Sequence, residues 1–153
     1  MPHLVILYTG NLDAETDMSA LCNSLANTLL AAHDDAGRPA FPPGGIRVLA
    51  YPAAHSAVAD GGKADRAAAH VAGGTPHDPG DYAFVYLNLR MAAGRSAATH
   101  KRVGDALLMA TKSHFQPVFA RRHIGVTLQI DEGNEVFDAK HSNLHPLFAP
   151  PTA

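Results

Sequence analysis

Pro2 is the residue whose chemistry is easiest to predict, because an initiator Met1 is generally removed when a small residue such as proline follows it. Removal leaves a secondary amine directly before the apolar run at residues 4–8. A free α-amino group has a pKa of about 7.7–8.0, and burial or nearby cations lower that pKa. The proline ring fixes the direction of the nitrogen lone pair. A neutral Pro2 amine would therefore be a well-placed general base near pH 7. Proline is about 5% of all residues, so other residues must support this candidate site.

Two arginines provide that support. Arg47 follows Gly44-Gly45-Ile46 at the start of an apolar stretch, and Arg95 lies in the turn Ala93-Gly94-Arg95-Ser96. The planar guanidinium makes paired, charge-assisted hydrogen bonds to a carboxylate, and turns at strand ends commonly carry binding groups. Either arginine alone is more often a solvated loop charge. Together with a candidate base, they favour a site for a carboxylate substrate.

Metal and thiol chemistry are not expected. The ten histidines are scattered, and no HExxH, CxxC or compact Cys/His array is present, so we expect no metal and no other cofactor. The single cysteine, Cys22, lies on the apolar stripe of a predicted helix with no basic neighbour, which indicates a packing role. One cysteine allows no internal disulfide and is typical of a reducing cytoplasm, where we expect the protein to be.

Length and composition bound the remaining possibilities. A chain of 153 residues predicts a single domain, residues 1–153, with a real core. The net charge of −2 argues against a nucleic-acid or anionic-membrane partner, and neither a long apolar run nor a secretory signal is visible. Only 17% of residues are charged, below the usual quarter, which suggests that part of the surface contacts other subunits.

The elements that position these residues follow a duplicated pattern. In the first half, residues 4–8 predict a strand buried on both faces, a helix follows, and residues 46–51 predict a second strand. In the second half, residues 82–91 alternate as a strand, and residues 124–130 alternate as another. The apolar positions of the first helix recur at helical spacing: Met18, Leu21, Cys22, Leu25 and Leu29.

Ser96 is the predicted N-cap of the second helix, which is expected to run to about His114, with Pro117 ending or kinking it. The inward-facing positions of this helix are predicted to be Val103, Leu107 and Ala110.

The predicted fold class is therefore α/β (α+β), a tandem βαβ fold with pseudo-repeats at about 2–51 and 81–131. Residues 52–80 form a linker with a possible helical turn at 67–69, and residues 132–153 form a tail. Right-handed crossovers give two parallel strand pairs in one four-stranded sheet with both helices on one face. The other face carries apolar residues that a single chain leaves uncovered, so we predict an oligomer.

Several segments resemble the 5-carboxymethyl-2-hydroxymuconate isomerase family, a branch of the tautomerase superfamily, and occur in the same order. The resemblance covers nearly the whole chain and implies a trimer whose three sheets surround a central core. The segments that carry it are Pro2-His3, Gly45-Ile46-Arg47, Asp81-Tyr82-Ala83-Phe84-Val85, Ala93-Gly94-Arg95-Ser96, Thr111-Lys112-Ser113-His114-Phe115 and Asn143-Leu144-His145-Pro146-Leu147-Phe148.

The resemblance also implies a reaction, the isomerisation of a ring-cleavage product of homoprotocatechuate. A proton moves along a conjugated dienol carboxylate to give an unsaturated ketone. Pro2 would carry the proton, while Arg47 and Arg95 would hold carboxylates. This is physically coherent, because fixed cations near the oxygens of an anionic dienolate lower the barrier and also depress the pKa of the amine.

Two segments depart from the family pattern, because residues 34–43 and 52–80 look longer than usual and lie next to the expected pocket. They leave the natural substrate open. One alternative is another enzyme of the superfamily, such as a keto–enol tautomerase of an arylpyruvate or a dehalogenase, although no acidic residue stands out to activate water. The other alternative is a non-catalytic trimeric binding module in which Pro2 is inert.

Overall fold

The structure is a computed structural model that describes residues 2–64, 66–67, 80–134, 136–139, 141 and 144–148. Its main elements are β1 (His3–Thr9), α1 (Met18–Leu30), β2 (Arg47–Ala53), β3 (Ala83–Ala92), α2 (Ala97–Phe119) and β4 (Ile124–Gly133). Short 3-10 helices lie at Gly10–Leu12, Pro43–Gly45 and His145–Phe148. No helix within these described ranges is both long enough and apolar enough to span a membrane.

The strands form one four-stranded sheet in the order β2-β1-β3-β4. β1 is parallel to β2, β3 is parallel to β4, and the central β1–β3 pair is antiparallel. The predicted tandem βαβ fold is therefore confirmed. In this topology, the starts of β1 and β2 and the ends of β3 and β4 meet at one edge of the sheet. We call it the Pro2 edge, consisting of residues 2, 44–47, 92–95 and 133.

Both helices begin at a capping side chain, and for α2 this is the predicted Ser96. The Asp17 carboxylate accepts a hydrogen bond from the Ala20 N–H at 3.0 Å, and Ser96 Oγ accepts one from the Thr99 N–H at 3.1 Å. The expectation for the end of α2 was wrong, since this helix continues past Pro117 to Phe119. Proline removes one hydrogen bond from the ladder and its ring crowds the carbonyl of residue i−4, and the helix ends within one further turn.

The core lies between the helices and one face of the sheet. Alternate residues of β1 and β3 point into it, and α1 and α2 cover them with their apolar stripes. Each fully buried leucine or phenylalanine contributes about 1.5–3 kcal/mol relative to an exposed one. The residues with no exposed surface include Leu4, Ile6, Leu21, Leu25, Leu29, Phe41, Leu87, Leu89, Leu107 and Phe115.

The opposite face of the sheet, here called the outer face, is open in a single chain. In the single chain Leu7 is 48% exposed, so burial of residues 4–8 on both faces requires the predicted oligomer. Leu7 pairs with Tyr51, and the neighbouring Leu49 pairs with Val5, so their side chains share this face. Leu49 and Tyr51 are 46% and 49% exposed. An apolar patch therefore remains across β1 and β2.

Part of the linker and tail lies outside the described residues. This includes residues 65 and 68–79, and with them most of the helical turn expected at 67–69. It also includes residues 135, 140, 142–143 and 149–153.

Candidate active site

Pro2 lies buried at the start of β1, next to the turn that precedes β2. Its carbonyl oxygen accepts a hydrogen bond from the backbone N–H of Arg47 at 3.2 Å. A Cβ atom placed on Gly45 would lie 3.6 Å from Pro2 Cδ, the ring carbon bonded to the nitrogen. This is an ordinary van der Waals distance, so the Gly44-Gly45 turn lies directly beside the candidate base.

Arg47 is half-buried, and the backbone of its own turn holds its side chain. Its Nη1 donates hydrogen bonds to the carbonyl oxygens of Gly44 at 2.9 Å and Ile46 at 2.8 Å. A guanidinium has five N–H donors, so Nε and Nη2 still offer a paired set to a ligand. His3, the register partner of Arg47, shares the outer face with it and is exposed.

Arg95 is held at the same edge by different carbonyls. Its Nε and Nη2 donate to the carbonyl oxygen of Ala40 at 3.1 and 2.8 Å, and its Nη1 donates to Ala92 at 3.1 Å. Its guanidinium also lies over the ring of Phe41, 4.6 Å from the ring centroid. These contacts use three of the five donors and leave one N–H on each terminal nitrogen. Among the described contacts, no hydrogen bond joins Arg95 to Pro2 or to Arg47.

The charge of these two arginines is not neutralised by any described residue. Both are held by neutral carbonyl oxygens, and no described carboxylate forms an ion pair with either. Arg122 behaves differently at the opposite edge of the sheet. Its guanidinium, which is almost fully buried, contacts Glu15 at 2.6 Å and Asp81 at 2.9 Å. The Pro2 edge therefore presents two guanidinium groups that no described carboxylate pairs with, although Asp131 and Glu132 lie near the end of β4 at this edge.

Two depressions in the surface differ accordingly. A polar cleft of about 480 Å³ lies between residues 34–40 and the start of α2, with Arg95 on its wall. An apolar depression of about 430 Å³ lies at the opposite edge, lined in part by Phe84, Phe119 and Arg122. The arginine of the second depression is already paired, whereas the first offers Arg95 to an anionic ligand. The carboxylates of Asp34 and Asp35 also line the first cleft, and neither Pro2 nor Arg47 does.

Two features near the site were not predicted from sequence. The first is that Ala40 and Phe41, within the extended segment 34–43, hold Arg95. The second is that the ring of Phe148 packs onto Gly44, where a Cβ would lie 2.7 Å from Phe148 Cδ2. The Gly44-Gly45 pair was the available signal, because glycine often marks a close approach of another group to the backbone.

Cys22 has the packing role expected of it. It is partly buried against the core, and burial raises the pKa of its thiol, which disfavours the reactive thiolate. Among the residues that the structure describes, no three His, Cys, Asp or Glu side chains cluster as metal ligands would.

Comparison with known proteins gives a consistent result. Residues 2–148 match the family described as 5-carboxymethyl-2-hydroxymuconate isomerase. The chain is 28% identical over 148 residues to the 5-carboxymethyl-2-hydroxymuconate Delta-isomerase of Escherichia coli, covering 97% of this chain and 99% of the relative.

Two solved structures are also similar over almost their full length. One is a 5-carboxymethyl-2-hydroxymuconate delta-isomerase, 51% identical, with a TM-score of 0.91, covering 100% of this chain and 96% of the other. The second is a 5-carboxymethyl-2-hydroxymuconate isomerase from Deinococcus radiodurans R1, 35% identical, with a TM-score of 0.75, covering 97% and 95%.

Proposed function

This chain belongs to the 5-carboxymethyl-2-hydroxymuconate isomerase family, and from that premise we propose that it isomerises 5-carboxymethyl-2-hydroxymuconate with Pro2 as the proton carrier. The reaction converts a dienol carboxylate into its unsaturated keto isomer. The neutral amine of Pro2 accepts the hydroxyl proton, the conjugated double bonds shift, and the same nitrogen returns the proton to a distal carbon. No atom is gained or lost.

Arg47 and Arg95 are the proposed substrate-binding groups. The observation that carries this assignment is that both guanidinium groups lie at the Pro2 edge, held by backbone carbonyls and without a described carboxylate partner. Each retains N–H donors for a substrate carboxylate. Because these groups are positioned before the substrate arrives, they stabilise the dienolate without reorganising during the reaction.

The same positive charge favours a neutral base. A cation close to an amine disfavours its protonated form, and burial of Pro2 acts in the same direction. A proline nitrogen also has fewer rotational states than a flexible side chain, so its lone pair stays aimed at the substrate. Positioned acid–base catalysis of this kind typically accelerates a reaction about 10²–10⁴-fold.

The test is a kinetic comparison of two substrates with the purified, methionine-processed chain. We expect turnover of 5-carboxymethyl-2-hydroxymuconate, followed by the loss of dienol absorbance, and slower turnover of 2-hydroxymuconate, which lacks the carboxymethyl arm. Equal turnover of both would argue against recognition of the arm. No turnover of either, with the initiator methionine confirmed absent by intact-mass measurement, would overturn the proposed function.

We further propose that three copies of the chain cover the outer face. The exposed patch formed by Leu7, Leu49 and Tyr51 is apolar and contiguous in register across β1 and β2. Association of identical chains is the usual way to bury such a patch. Light scattering coupled to size-exclusion chromatography should give a trimer for the wild type and a smaller species for Leu7→Asp. A wild-type monomer at micromolar concentration would contradict the proposal.

A further inference from the structure

We propose that Asp35 is a positioning residue for Arg95, acting through the loop at residues 33–42. This inference rests on the proposed role of Arg95 in carboxylate binding. Asp35 ties the tip of the loop to the start of α2, and the far end of the loop in turn holds the Arg95 guanidinium.

The contact between the loop and Arg95 is specific. The carbonyl oxygen of Ala40 accepts two hydrogen bonds from one side of the guanidinium, and the ring of Phe41 supports its flat face. Phe41 has no exposed surface, so its ring cannot move without opening the core. The orientation of Arg95 is therefore set by where the backbone of residues 40–41 lies.

The loop has its own internal closure, which does not involve Asp35. A β-bridge pairs His33 with Pro39, and the Ala40 N–H donates to the Ala32 carbonyl at 2.8 Å. The Asp34 carboxylate accepts hydrogen bonds from the backbone N–H groups of residues 36 and 38, and pairs with the Arg38 guanidinium at 2.8 Å. These contacts shape the loop but do not attach it to α2.

Asp35 supplies that attachment, alongside a longer hydrogen bond of 3.4 Å from Arg102 Nη2 to the His33 carbonyl oxygen. Its carboxylate accepts hydrogen bonds from Ser96 Oγ, from Arg102 Nη2 at 2.7 Å and from Thr99 Oγ1 at 3.4 Å. Ser96 is both the N-cap of α2 and the residue directly after Arg95. One carboxylate therefore fixes the loop to the same turn that carries Arg95, so the two supports of the guanidinium move together.

The effect on activity should exceed the effect on stability. Asp35 and Arg102 are both about half exposed, and an exposed ion pair of this kind contributes little to the free energy of folding. A misplacement of about 1 Å in a substrate-positioning group, by contrast, costs as much as 10²-fold in rate. The attachment of the loop by Asp35 therefore affects the position of Arg95 more than it affects the stability of the fold.

The test compares Asp35→Asn with Asp105→Asn. Asp105 forms an exposed ion pair with Lys101 on α2, at 2.7 Å and away from the loop, so it is a matched control. For Asp35→Asn we expect KM for 5-carboxymethyl-2-hydroxymuconate to rise about tenfold, with kcat within about threefold and the unfolding midpoint nearly unchanged. Arg102→Gln should raise KM similarly, and the double variant should be no worse than either single one.

A second measurement does not depend on activity. The Arg95 Nε–H signal in ¹H–¹⁵N spectra, assigned by its loss in Arg95→Lys, should exchange slowly with solvent in the wild type and in Asp105→Asn. In Asp35→Asn its exchange should be at least tenfold faster. Unchanged exchange in Asp35→Asn would overturn the inference whether or not the chain is an active isomerase. If the wild type is inactive but exchange of the Arg95 Nε–H is still faster in Asp35→Asn, the result would count only against the proposed function.

Discussion

The carbonyl oxygen of Pro2 accepts a hydrogen bond from the backbone N–H of Arg47 at 3.2 Å. This bond continues the parallel pairing of β1 with β2 by one residue beyond the strands, so the candidate base and a candidate carboxylate-binding group are fixed to each other through the backbone. It engages the carbonyl of Pro2 and leaves the nitrogen out of the sheet ladder. After methionine removal, that nitrogen is available for proton transfer.

The first prediction concerns Pro2. Alanine is also small, so Pro2→Ala should still lose Met1, but its primary amine is less constrained than a proline nitrogen. We expect kcat to fall about 10²-fold or more, within the range for loss of a positioned acid–base group. Steady-state kinetics checks this, with intact-mass measurement on both proteins as the control. Full turnover by a correctly processed Pro2→Ala would rule out the mechanism.

The second prediction concerns Arg95. Arg95→Ala should cost about 2–4 kcal/mol of transition-state stabilisation, by analogy with the loss of one oxyanion donor, which is about 30- to 900-fold in kcat/KM. Arg95→Lys should recover little of this, because an ammonium cannot reproduce the fork that contacts Ala40 while binding a carboxylate.

The matched control for Arg95 is Arg121→Ala. Arg121 is a partly exposed arginine at the opposite edge of the sheet, in a long contact with Glu15 at 3.4 Å. Its replacement should leave kcat/KM within about twofold of the wild type. A loss as large as that of Arg95→Ala would show that net charge, not position, governs the rate.

Sequence reasoning predicted the framework of the fold well, because local rules determine it. The N-cap Ser96 and the alternation in β3 depend on neighbours only a few positions away. Burial depends on distant parts of the chain and on other subunits, and the face that Leu7 leaves open in a single chain is the one that the predicted oligomer would cover.

The support of the site was less predictable. Pro2, Arg47 and Arg95 were identified from residue type and motif, and the topology brings them to one edge. That Ala40 would hold Arg95 had no sequence signal, since the acceptor is a backbone carbonyl 55 positions away along the chain. Every residue carries a backbone carbonyl oxygen, so the type of side chain at position 40 gives no indication that its carbonyl accepts from Arg95.

The third prediction concerns Gly44. In Gly44→Ala the new Cβ would lie 2.7 Å from Phe148 Cδ2, so either the ring or the turn must move. Because the Gly44 carbonyl also accepts a hydrogen bond from Arg47 Nη1, movement of the turn should disturb Arg47 and lower kcat/KM by about tenfold. Adding Phe148→Ala should restore part of the loss. If the double variant is no better than Gly44→Ala, the Phe148 contact is not the cause.

The fourth prediction is a pH dependence of stability from His114. Its imidazole contacts Thr16 Oγ1 at 2.7 Å, and burial lowers its pKa below the ordinary value of about 6.5, although Asp17 opposes this shift. As the pH falls below about 6.5, the unfolded chain takes up a proton that the folded chain does not. The free energy of unfolding should therefore decrease until the pH reaches the lower folded pKa.

Thermal unfolding at pH 7.5 and pH 5.5 measures this effect. The decrease in midpoint between these two values should be smaller for His114→Gln than for the wild type. His55→Gln, at an exposed loop position, is the control and should keep the wild-type decrease. If His114→Gln shows the same decrease as His55→Gln, another group is responsible.

The fifth prediction is a pair of glycine substitutions with opposite signs. Gly104 lies inside α2, where a Cβ would meet Ile130 Cδ1 at 3.4 Å, an ordinary contact. Gly104→Ala should therefore stabilise the protein by about 0.5–1 kcal/mol, because glycine loses more backbone entropy on folding. Gly94 has a φ of +111°, which disfavours any Cβ, so Gly94→Ala should destabilise the protein by about 1–3 kcal/mol although the space around it is open. Denaturant unfolding measures both. Destabilisation by Gly104→Ala would mean that α2 packs against β4 too tightly to admit a methyl group.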